Sequence, residues 1–323
     1  MTGGSGVVGR AVVEGLRERG DDVVALARSR DAEATLEGLG AGVVRGDLFD
    51  GEALARGMEG CNAVFHVAGM NSHCVKDPTP MLRANVDGPP AVVLAAARAG
   101  IRRVVHTSSA NTIGEPEGTT GREDTPHRGW YLSTYERSKT EGERAVLEAG
   151  RREGVEVVCV NPSSVQGPGR ASGTARILLA FLDGRLKVFV NTFISLVDIR
   201  DCAAGHLLAA ERGVPGDRYI LNGMTLSIPE ALKLVTDIAG VERRPRLVPR
   251  ALATVAATAV EQAFRIARRH PPVCREMVRT FIHGHRYDGS RAERELGLRY
   301  TDPGETVRRT VEWARGAGLL RTV

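Results

Sequence analysis

Tyr135 and Lys139 stand four residues apart in Tyr135-Glu136-Arg137-Ser138-Lys139, in a 323-residue chain where only four of the 44 basic residues are lysines. The stretch from Tyr131 to Glu148 lacks proline and is rich in helix formers. Residues i and i+4 share one face of a helix, so the phenol and the ammonium project together. A phenol of pKa about 10 is a poor acid–base catalyst near neutrality until a cation beside it stabilises the phenolate. Lysine suits that task and can also donate to the hydroxyls of a bound ribose. In isolation the pair reads equally well as an exposed tyrosine beside a solvated lysine.

The amino terminus carries the second chemical signal, Thr2-Gly3-Gly4-Ser5-Gly6-Val7-Val8-Gly9, with glycines at three-residue intervals. Such glycines permit a tight turn, close approach of backbone to a pyrophosphate and close helix packing, while the helix amino terminus offers N–H donors and a positive dipole. The alternative is a flexible glycine-rich terminus, because such a loop follows a strand and almost nothing precedes this one.

These residues need a scaffold. Short apolar, β-branched runs at Val23–Ala27, Gly42–Arg45, Ala63–Val67, Arg103–Thr107 and Val155–Val160 alternate with helix-length patterns at Val7–Arg19, Pro78–Ala99 and Tyr131–Arg151. That alternation predicts an α/β fold: a doubly wound parallel sheet with helices on both faces. After Asn161-Pro162 it weakens, which predicts a dinucleotide-binding domain over 1–160 and a substrate lobe over 161–323, with about 194–222 returning to the first domain.

Composition narrows the class. A hydrophobic content of 42% supports a large core, and a net charge of +5 spread as scattered arginines, with few aromatics, argues against nucleic-acid binding. The five cysteines (Cys61, Cys74, Cys159, Cys202, Cys274) are odd in number and form no Cys-x-x-Cys pair, which predicts buried thiols and the cytoplasm. Nothing reads as a signal peptide or a membrane span.

In order and spacing, these motifs resemble those of the extended short-chain dehydrogenase/reductases, the NAD-dependent epimerase/dehydratase superfamily. The likeness rests on Thr2-Gly-x-x-Gly-x-x-Gly9, Gly46-Asp47-Leu48, His66-Val-Ala-Gly69, Asn85-Val86-x-Gly88, Thr107-Ser-Ser109, Tyr135-x-x-x-Lys139 and Asn161-Pro162, and covers almost the whole chain. Val104-Val-His-Thr-Ser-Ser-Ala110, Asn161-Pro-Ser-Ser-Val-Gln-Gly-Pro168 and Ser290-Arg-Ala-Glu-Arg-Glu-Leu-Gly297 are most similar to its dihydroflavonol-4-reductase-like branch, which includes hopanoid-associated sugar epimerases.

The resemblance implies roles. Tyr135 would be the general acid/base, Lys139 would hold the nicotinamide ribose and depress the Tyr135 pKa, and Ser109 would hydrogen-bond the reacting oxygen. Asn85 would support a water relay or, as readily, pack helices together. Gly3, Ser5, Gly6, Val7, Val8 and Gly9 would cradle the pyrophosphate, Asp47 and Leu48 the adenine, Val67, Ala68 and Gly69 the phosphates and ribose. Thr107, Ser108, Pro162 and Ser164 would border the nicotinamide side.

Cofactor choice follows from charge: where an NAD-selective site offers a carboxylate, this chain has Ala27 and then Arg28, which favours NADP(H) over NAD(H). Ser29 or Arg30 would assist, unless Arg28 and Arg30 are merely surface charges. His283, His285 and nearby His270 suggest a metal, but no cysteine or carboxylate has ligand spacing, so none is expected. His66 and Cys61 read as packing residues. The amphipathic stretch Val248 to Ala267 reads as a core-facing helix, with a membrane surface or an apolar substrate as the alternative.

Two departures stand out. The first strand is missing, which leaves the glycine loop unanchored and suggests a start placed too late or a truncated fragment, and Gly88-Pro89-Pro90 costs a helix pattern beside Asn85 its backbone hydrogen bonds unless the helix bends or restarts there. The sequence therefore predicts an NADP(H)-dependent oxidoreductase acting on a carbonyl/alcohol pair of a small-molecule substrate, and the resemblance implies a homodimer through the helices of Asn85 and Tyr135. A nucleotide-sugar epimerase or dehydratase and a non-catalytic dinucleotide sensor are the alternatives.

Overall fold

The computed structural model describes residues 1–267, 269, 271 and 273–320; His270 lies outside them. The amino-terminal part runs α1 (Val7–Glu18), β1 (Val24–Ala27), α2 (Arg30–Gly38), β2 (Gly42–Arg45), α3 (Gly51–Met58), β3 (Ala63–His66), α4 (Thr79–Leu82), α5 (Gly88–Arg98), β4 (Arg103–Thr107), α6 (Thr134–Glu153) and β5 (Glu156–Pro162). The remainder runs β6 (Ser164–Gln166), α7 (Thr174–Leu182), β7 (Val188–Val190), β8 (Phe193–Asp198), α8 (Ile199–Arg212), β9 (Arg218–Leu221), β10 (Met224–Ser227), α9 (Ile228–Ala239), β11 (Arg246–Val248), α10 (Arg250–Ile266), α11 (Arg275–His283) and α12 (Pro303–Gly316).

Strands β3, β4, β5 and β9 pair in parallel in that order, and β1 pairs in parallel with β2. The valines and the isoleucine of β3, β4, β5 and β9 are buried because helices cover both faces: α1 and α8 pack together on one, α3, α5 and α6 on the other. Side-chain caps fix where helices begin. Ser29 accepts from Ala32 N, Asp50 from Ala53 N, and Ser133 from Glu136 N, while Gly154 in the left-handed region ends α6.

The missing first strand is replaced by two residues. Leu26 N donates to Met1 O, Thr2 N to Phe65 O and Val67 N to Thr2 O, so Met1 and Thr2 bridge β1 to β3. The loop is thereby anchored, contrary to the expectation, and Thr2 Oγ1 adds a 2.7 Å bond to His66 Nδ1. Below this bridge a cavity lined by Met1, Val24, Leu26, Leu54, Met58 and Val64 lies between β1 and β3.

The proline pair does not break the helix; it restarts it. A π-helical turn over Arg83–Asp87 separates α4 from α5, and both prolines fall in the first turn of α5, where their absent N–H groups cost nothing.

Beyond β5, strands β6, β8 and β10 form a second sheet and β7 pairs with β11. Of this part, α8 and β9 pack into the first sheet, and β8 does not. Two expectations are corrected here. Cys74 and Cys274 are joined in a disulfide, with Cα atoms 5.7 Å apart, so they are not thiols; the other three cysteines are free. Nor is α10 core-facing. Only its Ala257 is buried, and Leu252, Val255 and Ile266 are exposed because the helix packs chiefly against α11 alone. Among the described residues no helix is long and apolar enough to cross a membrane.

Candidate active site

The glycine loop is a cradle that side chains would fill. Gly3 has φ +73°, and a Cβ there would lie 2.4 Å from Ala68 N, while one on Gly9 would lie 2.0 Å from Gly3 O. Gly6 precedes α1 without any side-chain cap, and no acidic residue occupies the first turn, so N–H donors and the positive end of the dipole stay available beside Ser5, Val7 and Val8. This cradle fits a dinucleotide pyrophosphate.

At the carboxyl ends of β4 and β5, α6 presents the catalytic candidates. Ser133 caps α6, which fixes Tyr135 in its first turn and Lys139 one turn on. Tyr135 is half-buried, and the Ser109 hydroxyl favours the ionised form of its phenol. Ser109 is itself held by its place before a short 3-10 turn, where its Oγ accepts from Asn111 N at 3.3 Å. Lys139 Nζ donates to Thr107 O at 2.7 Å and lies near Gly69, where a Cβ would stand 3.7 Å from it.

Electrostatics correct one expectation. Burial pushes the Tyr135 phenol up, and the Ser109 hydrogen bond and the charge of Arg170 only partly oppose it. The Lys139 ammonium donates to the Thr107 carbonyl. Burial instead lowers Lys139 itself to about 8, with the Glu143 carboxylate pulling the other way.

The sequence reading missed the support beneath Ser109. Asn161 Nδ2 donates to Ser109 O (3.2 Å), Thr112 Oγ1 (2.9 Å) and Glu143 Oε2 (2.5 Å), and Glu143 pairs with Arg218 at 3.1 Å. Glu143 continues the Tyr135, Lys139 spacing by one more turn on the same face of α6, a signal that could have found it. Arg218, on β9, had none.

Asn85 lies in the π turn, 1% exposed, with its amide fully used: Oδ1 accepts from Met70 N (2.8 Å), and Nδ2 donates to Met70 O (2.8 Å) and Ser138 Oγ (2.9 Å). It clamps the loop after β3 to α6. Ser108 N donates to Val160 O while its Oγ is buried without a partner. Thr107 Oγ1 meets His206 Nε2 at 2.8 Å, Pro162 ends β5, and Ser164 Oγ accepts from Gln166 Nε2.

Around the adenosine end, Arg28 is exposed at the end of β1, and Ser29 is committed to capping α2. Asp47 Oδ1 accepts from Phe49 N. Leu48 is buried, packed so closely over Gly88 that a Cβ there would lie 2.3 Å from Leu48 Cδ2, which makes it a core residue as much as a pocket wall.

The carboxylate that the sequence did not supply to the histidines comes from far away. Glu115 Oε1 is 2.6 Å from His285 Nδ1 and 3.3 Å from His283 Nε2, and all three ligand atoms lie within 4.8 Å of one another. Gly284, in the left-handed region between the histidines, turns both rings toward Glu115. Burial alone would raise the Glu115 carboxyl, but the two imidazole hydrogen bonds outweigh it and hold the group at about 2.

A glycine cradle before a buried helix, with a tyrosine, lysine and serine at the carboxyl edge of a parallel sheet, defines a dinucleotide-dependent oxidoreductase. The chain belongs to the NAD dependent epimerase/dehydratase family, which matches residues 1–221, and is an NAD(P)-dependent enzyme of the extended short-chain dehydrogenase/reductase type. It is 35% identical to a Synechocystis protein named for dihydroflavonol 4-reductase activity, over all of this chain and 96% of that one. It is 34% identical to sterol demethylase protein B of Methylococcus capsulatus, over 99% of both chains. The crystal structure of gox2253 superposes with a TM-score of 0.87 at 31% identity, covering 99% of this chain and 98% of that one.

Proposed function

We propose that this chain is a net reductase, transferring hydride between NADP(H) and a ketone or secondary alcohol on an apolar small molecule. The observation that carries the reading is the meeting of α6, which bears Tyr135 and Lys139 one turn apart, with the carboxyl end of β4 before Ser109, where Lys139 Nζ donates to Thr107 O beside Gly69. Gly3, Gly6 and Gly9 would hold the pyrophosphate, Val67 to Gly69 and Lys139 the ribose, and Pro162, Ser163 and Ser164 the nicotinamide. Bound there, the nicotinamide supplies or accepts the hydride.

The remaining chemistry belongs to the chain. Ser109 donates to the substrate oxygen and orients it, and the Tyr135 hydroxyl delivers its proton as that oxygen gains negative charge. The raised phenol pKa suits reduction, because the proton is present across the neutral range. The preference for NADP(H) rests on Arg28, exposed where a carboxylate would select NAD(H). The names of the relatives point to flavonoid-like or sterol-like substrates. A homodimer through the Asn85 and Tyr135 helices is part of this reading and is checked by light scattering.

Replacing Tyr135 with Phe is the direct test. NADPH affinity should persist while turnover of a ketone panel falls by about a thousandfold, within the range for loss of a general acid. Consumption of NADPH in proportion to product supports the reductase. Turnover of a nucleotide sugar without cofactor consumption would favour the epimerase reading instead.

A further inference from the structure

A contiguous apolar surface left to water marks a place where something docks. On α10, Leu252, Val255, Ala256, Ala259, Ala263 and Ile266 recur at helical intervals and fall within about 100° of the helix circumference. All six are exposed, Leu252 at 55%, Val255 at 66% and Ile266 at 84%. The opposite side of the helix carries Ala257 and Glu261 and rests on α11, where Glu261 accepts from Arg275 N at 2.8 Å. The stripe therefore faces away from the protein. Two more apolar side chains, Leu247 of β11 and Val188 of β7, stand about half exposed on the strand pair that leads into α10.

The same segment holds the charge of the molecule. Residues 241–269 contain seven arginines, two glutamates and no lysine or aspartate, a net +5 that equals the net charge of the whole chain, so the remainder is neutral. Arg244 and Arg246 flank the strand pair beside Leu247, and Arg265 and Arg269 stand at the far end of α10. All four are exposed, and among the described residues none of their side chains has a hydrogen bond or an ion pair. Of the two acids, Glu261 is committed to Arg275 on α11. The surface is thus apolar along its middle and basic at both ends.

We propose that α10 and the β7–β11 strand pair dock the chain on an anionic bilayer surface, with the stripe immersed at the boundary of headgroups and acyl chains and the arginines at the level of the lipid phosphates. At 17 residues α10 is about 25 Å long and lies along such a surface rather than across it. A stripe of mostly small residues gives weak attachment alone, and the arginines make it selective for anionic lipid through an attraction that salt screens within about 8 Å. A protein partner fits less well, because protein interfaces are anchored by tryptophan and tyrosine, and the stripe has no aromatic residue. The helix is not a loose arm. Its support α11 is fastened to the start of α6 by Arg279, which donates to Leu132 O at 2.8 Å, and the Cys74–Cys274 disulfide ties the residue before α11 to the loop after β3. Such docking is independent of the reaction that the site performs.

The test is flotation of the full chain with vesicles of phosphatidylcholine alone and of equal parts phosphatidylcholine and phosphatidylserine. Wild type should float with the mixed vesicles and stay behind with phosphatidylcholine, and added salt should release it. Arg244→Gln combined with Arg246→Gln should lower the partition coefficient about 30-fold, as expected for two arginines at an anionic surface. Leu252→Ser combined with Ile266→Ser should lower it by about 10-fold or more through lost apolar burial. All four side chains are exposed, so both double variants should unfold at the wild-type temperature, which separates lost docking from a lost fold. Wild type that floats with neither vesicle, or equally with both, overturns the proposal, as does flotation that either double variant leaves intact. A wild type that binds no vesicle, and that light scattering shows to be a larger assembly than the Leu252→Ser, Ile266→Ser variant, would make the stripe an interface between copies of the chain and also overturn it.

Discussion

Lys139 carries two duties that conflict: it must be charged to donate, yet it is almost fully buried. Its pKa near 8, lowered by burial and held up by Glu143, places the loss of that charge just above neutrality. Activity should therefore decline as pH rises through about 8, and Glu143→Gln, which removes the supporting carboxylate, should move that limb to lower pH in a kcat/KM profile. An unchanged limb would assign the titration to another group. The proposed cofactor choice is tested at the same scale. Arg28→Glu places a carboxylate where the end of β1 now offers a guanidinium, and the ratio of NADPH to NADH affinity should fall by 10-fold to 100-fold, roughly the value of one or two charge-assisted bonds. Tyr135, Lys139 and Ser109 were legible in the sequence because local spacing and motif order record them. Arg218 was not, since it lies on β9, far along the chain from these motifs, and meets Glu143 only through packing.

Close approach of elements, rather than the chemical groups themselves, holds the active-site helix in register. Gly142 on α6 faces the π turn so closely that a Cβ would lie 1.9 Å from Asn85 O, whereas a Cβ on Gly15 of α1 would meet only Leu207 Cδ2 at 3.4 Å. Gly142→Ala should cost about 1–3 kcal/mol by overpacking and lower turnover through displacement of Lys139. Gly15→Ala should be neutral or stabilising by up to about 1 kcal/mol, since alanine is the better helix former. Urea unfolding of the two variants checks both signs, and similar losses would mean that α6 can slide away from Asn85 freely. Strands β2 and β4 are read from their β-branched runs to the residue, because that preference is recorded locally whether the strand is buried, as β4 is, or half-exposed, as β2 is. The π turn and the exposed face of α10 escaped, because helical periodicity reports amphipathicity but neither the ladder's bond pattern nor what, if anything, covers the apolar side.

At the scale of the whole molecule, the segment after β4 is fastened to the segment after α11 by contacts that no local pattern encodes. Glu115 and His285 are 170 residues apart, and the disulfided Cys74 and Cys274 are 200 apart, so spacing arguments about metals and thiols failed for the same reason. The Glu115 anchor has a definite pH signature. Its carboxyl titrates at about 2 in the folded chain against an ordinary 4.5, so the folded state binds the proton more weakly than the unfolded one. The stabilisation is therefore complete above about pH 4.5 and drains away as pH falls toward about 2. Buried neutral His66, His106 and His206, all held low by burial, also destabilise the fold in acid, as the unfolded chain takes up protons below about 6.5. Both effects act on the wild type, but Glu115→Gln retains the histidine penalty and lacks the carboxylate. Subtracting the unfolding free energies of the two proteins across the pH range isolates the anchor: the difference should be constant above about pH 5 and shrink toward pH 2. A difference that is flat throughout would mean that Glu115 is no more stable ionised in the folded chain than in the unfolded one, and that the two segments are held by their other contacts, among them Arg122–Asp288 and Tyr287–Asn111.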